Sequence, residues 1–272
     1  MDINVKDIII KPINSTAANA FVKKHHYSGK VTSNSQLHFG AFYDDILHGV
    51  MSFGPSLDKR KIIGLVKDTK WNDFLELNRM AFDDYLPKNS ESRSISIAMK
   101  LIKKHYPNIE WVVSFADGTQ CGDGTIYRAS GFVLTAIRES NNLARLPSGE
   151  VIHKMTIQSN PSQKREELGG RSAAEVLNGA QSFAGYVKAA GAEIIPGFQL
   201  RYIYFLNKEA RNRLTVPILP FSAIDKMGAG MYLGKKKTSG GSVTVAQPAI
   251  QQERGGSIPT SPHIINRGFT NE

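Results

Sequence analysis

Apolar residues fall along this chain in short runs of strand character and in longer stretches with the period of about 3.6 that marks a helix, and their order predicts the architecture. Ile8 to Ile13 reads as a strand, after which Asn14-Ser-Thr opens a helix through Ala17, Phe21 and Val22 that closes near His25-His26-Tyr27-Ser28-Gly29. Leu37 to Tyr43 and Ile46 to Phe53 flank Asp44-Asp45 and predict a β-hairpin. Phe74 to Phe82 is a strand that carries Glu76 and Arg79 within a hydrophobic segment. Pro87 to Ser92 makes a loop and cap for a helix whose Ile95, Ala98, Met99 and Ile102 share a face as far as His105, and Pro107 stops it. Trp111 to Ala116, Phe132 to Ile137 and Val151 to Ile157 are three more strands, the last two joined by a turn around Pro147-Ser-Gly149.

Strand, helix, hairpin, strand, helix, strand, short helix and strands in that order predict an α/β (α+β) fold, a mixed central sheet with helices on its faces. This is the element order of the Gcn5-related N-acetyltransferases. Residues 1–158 would form the acetyltransferase-like core. From Ser159 a polar linker leads to a small-residue helical stretch, Ser172 to Ala190, broken at Gly179, Gly185 and Gly191, and then to a strand, Leu200 to Leu206. Residues 159–225 would therefore be a helical insertion and returning strand packed on the core, with a short basic helix at Lys208 to Arg213. Residues 226–272 are poor in apolar side chains and predict a mobile tail.

The 272 residues are 41% hydrophobic, enough for a full core, yet no run approaches a membrane span. The expectation is a soluble cytoplasmic protein. A single cysteine, Cys121, excludes an internal disulfide and a cysteine-rich zinc site. The formal net charge of +10 favours a polyanionic partner, and Lys23-Lys24, Lys30, Lys59-Arg60-Lys61, Lys164-Arg165 and Arg201 through Arg213 would make a track for a phosphate backbone if gathered around one cleft. Taken singly, each of these clusters is a solvated face.

The richest segment runs from Trp111 to Phe132, where a strand delivers Asp117 into a turn containing Gly118, Gly122 and Gly124. Open α/β sheets bind ligands at the carboxyl ends of their strands. Thr125 would cap a short helix ending near Gly131 and bring Tyr127 into its first turn, facing the same cleft as Asp117. Asp117 would accept a proton, orient a base or ligate a metal; alternatively its carboxylate closes an Asx turn on Thr119 or Gln120. Tyr127 is either a hydrogen-bonding acid or a packing residue, and Cys121 has no activator that would make it a nucleophile. His26 reads as a general base, metal ligand or base-stacking group with Tyr27 beside it, whereas His25 suits a helix C-terminus. The amino end of the Ser90 helix would attract a pyrophosphate, with Arg79 and Ser92 adding a charge and a hydroxyl. The structural alternative has Ser90 capping its helix and Arg79 pairing with Glu76 or Asp83. The usual glycine-rich loop is absent; Lys88-Asn-Ser-Glu-Ser92 stands in its place, which adds Lys88 and Asn89 to the candidate cofactor residues.

Glu76-Leu-Asn-Arg79, Pro87-Lys-Asn-Ser-Glu-Ser-Arg93, Ser114-Phe-Ala-Asp117, Gly124-Thr-Ile-Tyr127 and Arg201-Tyr-Ile-Tyr-Phe-Leu206 together resemble the Mom family of phage DNA-modification proteins, from about His25 to Pro220. The resemblance implies an acetyltransferase-like enzyme that converts adenine N6 in double-stranded DNA to a carbamoylmethyl (acetamido) adenine with acetyl-CoA as cofactor, shielding the DNA from host restriction. It implies acetyl-CoA contacts for Arg79, Ser92 and Tyr127 and a role in modification for Asp117, His26 and Tyr27. It also brings in iron, for which His26 and Asp117 would be ligands. Family members often carry Gly-His where this chain has Cys121-Gly122. Adenine N6 lies in a stacked duplex, so the base would flip out, with Tyr27 or Phe39 to receive it. Lys30, Lys59, Arg60, Lys61 and Arg201 are the expected DNA contacts. Two other readings remain at this level: an ordinary CoA-dependent N-acyltransferase acting on a small amine or a protein, and a DNA-binding module with a degenerate cofactor site.

Overall fold

The computed structural model describes residues 3–119, 122–232 and 235–236. Cys121 and all of the predicted tail beyond Lys236 lie outside the described residues. In chain order the elements are β1 (Ile9–Pro12), α1 (Ser15–His25), β2 (Leu37–Tyr43), β3 (Ile46–Gly54), α2 (Lys59–Ile63), β4 (Phe74–Phe82), α3 (Ser90–His105), β5 (Trp111–Asp117) and α4 (Thr125–Ala129). They continue with β6 (Val133–Arg145), β7 (Val151–His153), α5 (Lys154–Ser159), α6 (Ala173–Val176), α7 (Phe183–Ala189), β8 (Glu193–Phe205), α8 (Lys208–Asn212), α9 (Ser222–Lys226) and the short strands β9 (Met231–Tyr232) and β10 (Lys235–Lys236).

Eight strands form one sheet in the order β1-β2-β3-β4-β5-β8-β6-β7. Its neighbours are antiparallel except β4 and β5, which α3 connects in parallel. Asn14 starts α1 by accepting a hydrogen bond from the Ala17 N–H at 2.8 Å. Asp44 and Asp45 take φ of 47° and 59°, the left-handed pair that a tight hairpin turn between β2 and β3 requires. Along β4 and β5 the side chains alternate between the two faces of the sheet, as a pleated strand demands. Leu77, Val112 and Ala116 pack with Ile95, Ala98, Met99 and Ile102 of α3, while Ala81 meets Phe21 and Val22 of α1, and Phe74, Trp111 and Val113 meet Leu65, Val66 and Ala210. A further apolar cluster, with Ala144, Leu146, Ile152, Ile157, Phe183 and Tyr186 among its members, joins α5, α6 and α7 to the far ends of β6 and β7.

The elements depart from expectation where the apolar pattern is interrupted. β6 runs on to Arg145 and β8 begins at Glu193, because bulges between Leu134 and Ala136 and between Ser140 and Leu143 carry the pairing through polar residues that break the alternation. The strand expected from Val151 to Ile157 ends at His153, whose Nδ1 accepts the Met155 N–H at 3.0 Å and so starts α5. Gly185 lies inside α7 instead of breaking it. α2 has no counterpart among the predicted elements. Beyond Lys226 the chain stays packed as far as Ala229, which is fully buried. Among the described residues no helix is long and apolar enough to cross a membrane.

Candidate active site

The parallel ladder between β4 and β5 spans only Phe74–Glu76 against Trp111–Val113. Ser114 then donates to the Leu77 carbonyl at 3.4 Å, after which β4 stays with β3 as far as Phe82 and β5 stays with β8 as far as Asp117. Asn78 is the extra residue of a bulge on β4, and its buried amide is held by Ser35 and the Pro55 carbonyl. Bulging increases local twist, so the carboxyl-terminal halves of β4 and β5 splay into a notch. At its rim α3 begins: Asn89, the residue before the helix, has φ of 72° and no side-chain capping bond, which leaves the first-turn N–H groups without a side-chain acceptor. Lys88 and Asn89 are exposed there. Ser92 donates to the Asn89 carbonyl at 3.1 Å, and Ser130 at the end of α4 approaches the Ser92 carbonyl at 3.3 Å. Tyr127 packs beside this contact against Phe132 and Tyr202, with ring centroids 5.4 and 5.3 Å away.

The turn between β5 and α4 is built by close packing. Asp117 Oδ1 accepts the Thr119 N–H at 3.0 Å, the Asx turn that was one of its two sequence readings, and Thr119 is pressed against Gly197 of β8, where any Cβ would collide with its side chain. The expected cap of α4, Thr125, is instead its first residue; Gly124 precedes it with φ of 73°. Asp123 takes over the cap, accepting from the Thr125 N–H at 3.1 Å and from its hydroxyl at 2.6 Å, while its own carbonyl accepts from the buried Tyr202 hydroxyl. A Cβ on Gly124 would lie 2.5 Å from the Tyr202 ring. Gly124→Ala is therefore expected to cost at least ~1–2 kcal/mol and to lower Tm by a few degrees in calorimetry. An unchanged melting profile would contradict this packing.

A second group of polar side chains gathers on the α1 side of the sheet. Arg79 donates from Nε to the Lys30 carbonyl at 3.0 Å and from Nη1 to the Asn78 carbonyl at 2.7 Å, so it clamps the loop after α1 to β4 and does not pair with Glu76 or Asp83. Lys30 Nζ donates to Thr156 Oγ1 on α5, and Arg165 reaches the Thr156 carbonyl at 3.2 Å. His26 Nδ1 accepts the Ser28 N–H at 3.1 Å with the Ser28 hydroxyl 2.8 Å away, so the neutral ring carries its proton on Nε2. Burial, and then the Arg79 charge, pushes His26 down to about 4. His153 is likewise held low by burial; the Asp117 carboxylate opposes the shift, and Lys30, Arg79 and Lys154 add to it. Burial also lowers Lys30, with Arg165 adding to it. Glu76 lies among these residues with its carboxyl raised by burial and bound to the Ser56 hydroxyl at 2.5 Å. Tyr27 is 57% exposed beside His26, their ring centroids 4.3 Å apart.

Several expected site residues fall elsewhere. Arg79 belongs with Lys30 and His26 on the α1 side of the sheet and not with Ser92 in the first turn of α3. Arg201 is buried between β5 and β6 with its guanidinium on Thr135 Oγ1 at 2.9 Å, which removes it from any DNA-facing surface. Phe39 is fully buried, so Tyr27 is the remaining candidate to receive a base. Lys59 lies over the rings of Trp71 and Phe74, at 4.7 and 5.4 Å, beside a cavity of about 700 Å³ at the start of β4. That places Lys59, Arg60 and Lys61 at the opposite end of the sheet, about 20 Å from Asp117 at 3.3 Å per strand residue, apart from Lys30. Among the described residues no group of three or more His, Cys, Asp or Glu is placed to hold a metal, and His26 and Asp117 are already engaged by Ser28 and Thr119. The donor set does not fit the iron expected from sequence. His153 and Thr156 were missed because they fall in a stretch that reads as strand.

A mixed sheet with β4 and β5 splayed at an uncapped helix start is the α/β (α+β) architecture that the element order predicts. Similar folds include an acetyltransferase from Bacillus subtilis in complex with CoA, 11% identical over 73% of this chain and 98% of that one, TM-score 0.39. Another is a GNAT family acetyltransferase from Elizabethkingia anophelis with acetyl-CoA bound, 13% identical over 73% and 98%, TM-score 0.37. The chain belongs to the Mom protein family, whose profile matches residues 7–223. It is 35% identical over 216 residues to the methylcarbamoylase Mom of Escherichia phage Mu, covering 78% of this chain and 81% of that protein.

Proposed function

We propose that this protein is a DNA-modifying transferase that acts on adenine N6 and draws on acetyl-CoA, as the name of its phage Mu relative suggests for the group transferred. One observation carries the reading. Asp117 ends β5, and its carboxylate acts on His153 together with the Lys30, Arg79 and Lys154 cations, a setting that suits it to take the proton that N6 must lose.

The notch and the uncapped start of α3 fit a CoA pyrophosphate, because free backbone N–H groups and the helix dipole favour an anion. Lys88, Asn89 and Ser92 would hold that end, Tyr127 would wall the passage, and Arg79 would bind the acyl end. When bound, acetyl-CoA supplies an activated two-carbon unit. A carbamoylmethyl group is joined through its methyl carbon and carries an amide nitrogen, so the full reaction also needs a nitrogen donor and an oxidising equivalent. The chain's own residues bind, orient and handle protons. Tyr27 offers an exposed ring on which a flipped adenine would stack, and Lys23, Lys24, Lys30 and Lys154 border the same side for phosphate contacts.

Plasmid from cells expressing the protein is expected to resist restriction enzymes whose sites contain adenine and to be cut normally at sites made only of G and C. Normal cutting across a panel of both kinds would contradict the adenine assignment.

A further inference from the structure

We propose that the recess at the amino end of β4 binds single-stranded DNA, stacking an unpaired base on Trp71 and holding the adjoining phosphates with Lys59 and Arg60. It is a site separate from the cleft around Asp117. The recess lies where β2 and β4 start and where β3 and α3 end, at the far end of the sheet from the carboxyl terminus of β5. Its volume of about 700 Å³ is that of a small-ligand pocket.

Apolar side chains around this hollow face water. Trp71 is 52% exposed, Leu57 is 76% exposed, and Tyr106 contributes a second, partly exposed ring. Single exposed apolar side chains are ordinary, but three around one hollow mark a binding surface. The cations beside them are available. Asp58, the one carboxylate among the described residues that line the recess, is taken by Lys61 at 2.6 Å, whereas Lys59 and Arg60 form no ion pair with any described residue. Lys59 is held in place: its ammonium lies 4.7 Å from the Trp71 ring centroid and 5.4 Å from that of Phe74, and it donates to Asn72 Oδ1 at 3.4 Å. Phe74 in turn stacks on the buried Trp111 with centroids 4.4 Å apart, so the platform is rigid. Burial lowers Lys59, and a phosphate beside it would oppose that shift.

An exposed indole next to fixed cations matches a nucleotide, whose base offers a π-face and whose phosphate offers a charge. An acidic peptide would satisfy the cations and leave the indole in water. A duplex keeps its bases in the stack and presents sugar and phosphate, with the same result. This chain's own segment beyond Lys236 carries Lys237, Arg254 and Arg267 against Glu253 and Glu272, so it lacks the acidic surplus that would complement the recess. An unpaired strand satisfies both the rings and the cations.

The chain has two tryptophans, and Trp111 is fully buried, so emission changes report on Trp71. A short oligothymidylate titrated into the full chain is expected to quench that emission, with an affinity that falls as salt rises. Trp71→Ala is expected to weaken binding of the labelled oligonucleotide about 5- to 150-fold in anisotropy. Trp71→Phe keeps a stacking ring and is expected to retain most of the affinity while losing the quench. Arg60→Ala is expected to lower the slope of log affinity against log salt by about 0.7, the share of one phosphate contact on a single strand. A blunt duplex of the same length, thymidine monophosphate and polyglutamate are each expected to leave the emission unchanged at concentrations where the oligonucleotide saturates it. Equal quenching by any of these three, wild-type affinity in Trp71→Ala, or a quench that survives in Trp71→Phe would overturn the proposal. None of these readouts involves modified adenine, so they decide this site independently of the reading of Asp117.

Discussion

Asp117→Asn is expected to give a folded protein that makes modified adenine at about one-hundredth of the wild-type level or less, the lower range of what a positioned base contributes. The substitution is isosteric, and Asn keeps the Oδ1 that receives the Thr119 N–H at 3.0 Å, so the turn against Gly197 persists. What it loses is the negative charge that acts on His153 alongside the Lys30, Arg79 and Lys154 cations. The ratio of modified to total deoxyadenosine, taken with a melting curve, measures both halves of the prediction. Wild-type yield would return Asp117 to the role of a turn residue.

Arg79→Ala is expected to weaken acetyl-CoA binding about 10- to 100-fold in titration calorimetry, the equivalent of losing one charged hydrogen bond of about 1.5–3 kcal/mol. The same change frees the Lys30 carbonyl, now held at 3.0 Å, and with it the loop that carries Tyr27 past His26. DNA modification should therefore fall further than cofactor affinity does. Arg79→Lys would keep the charge but cannot bind the Lys30 and Asn78 carbonyls together, so an intermediate loss is expected. An unchanged isotherm for Arg79→Ala would remove this residue from the cofactor site.

Much of the scaffold was legible because its elements obey local rules. Phe74–Phe82 forms a strand with the bounds its apolar run predicts, Asp44-Asp45 makes the hairpin turn, and Ile95, Ala98, Met99 and Ile102 all face the core from α3. The delivery of Asp117 into a glycine turn was legible for the same reason. Less legible was whatever depended on the neighbouring strand. Arg201 reads as one more surface cation, yet β8 enters the sheet between β5 and β6 and buries it on Thr135. Lys59 and Lys30 both read as parts of a basic track, and only the course of β4 shows that they stand at opposite ends. The role of His153 in starting α5 stayed hidden because a strand ends there, which a run of alternating residues does not announce. The tautomers of His26 and His153 depend on backbone N–H groups that follow each ring by two residues.

Nucleoside analysis shows most directly whether the cleft around Asp117 modifies adenine. DNA from cells expressing the wild-type chain, hydrolysed to nucleosides and resolved by mass spectrometry, should contain a deoxyadenosine heavier by one carbamoylmethyl group, with the other three nucleosides unaltered. Only ordinary deoxyadenosine from cells that hold ample folded protein would contradict the account.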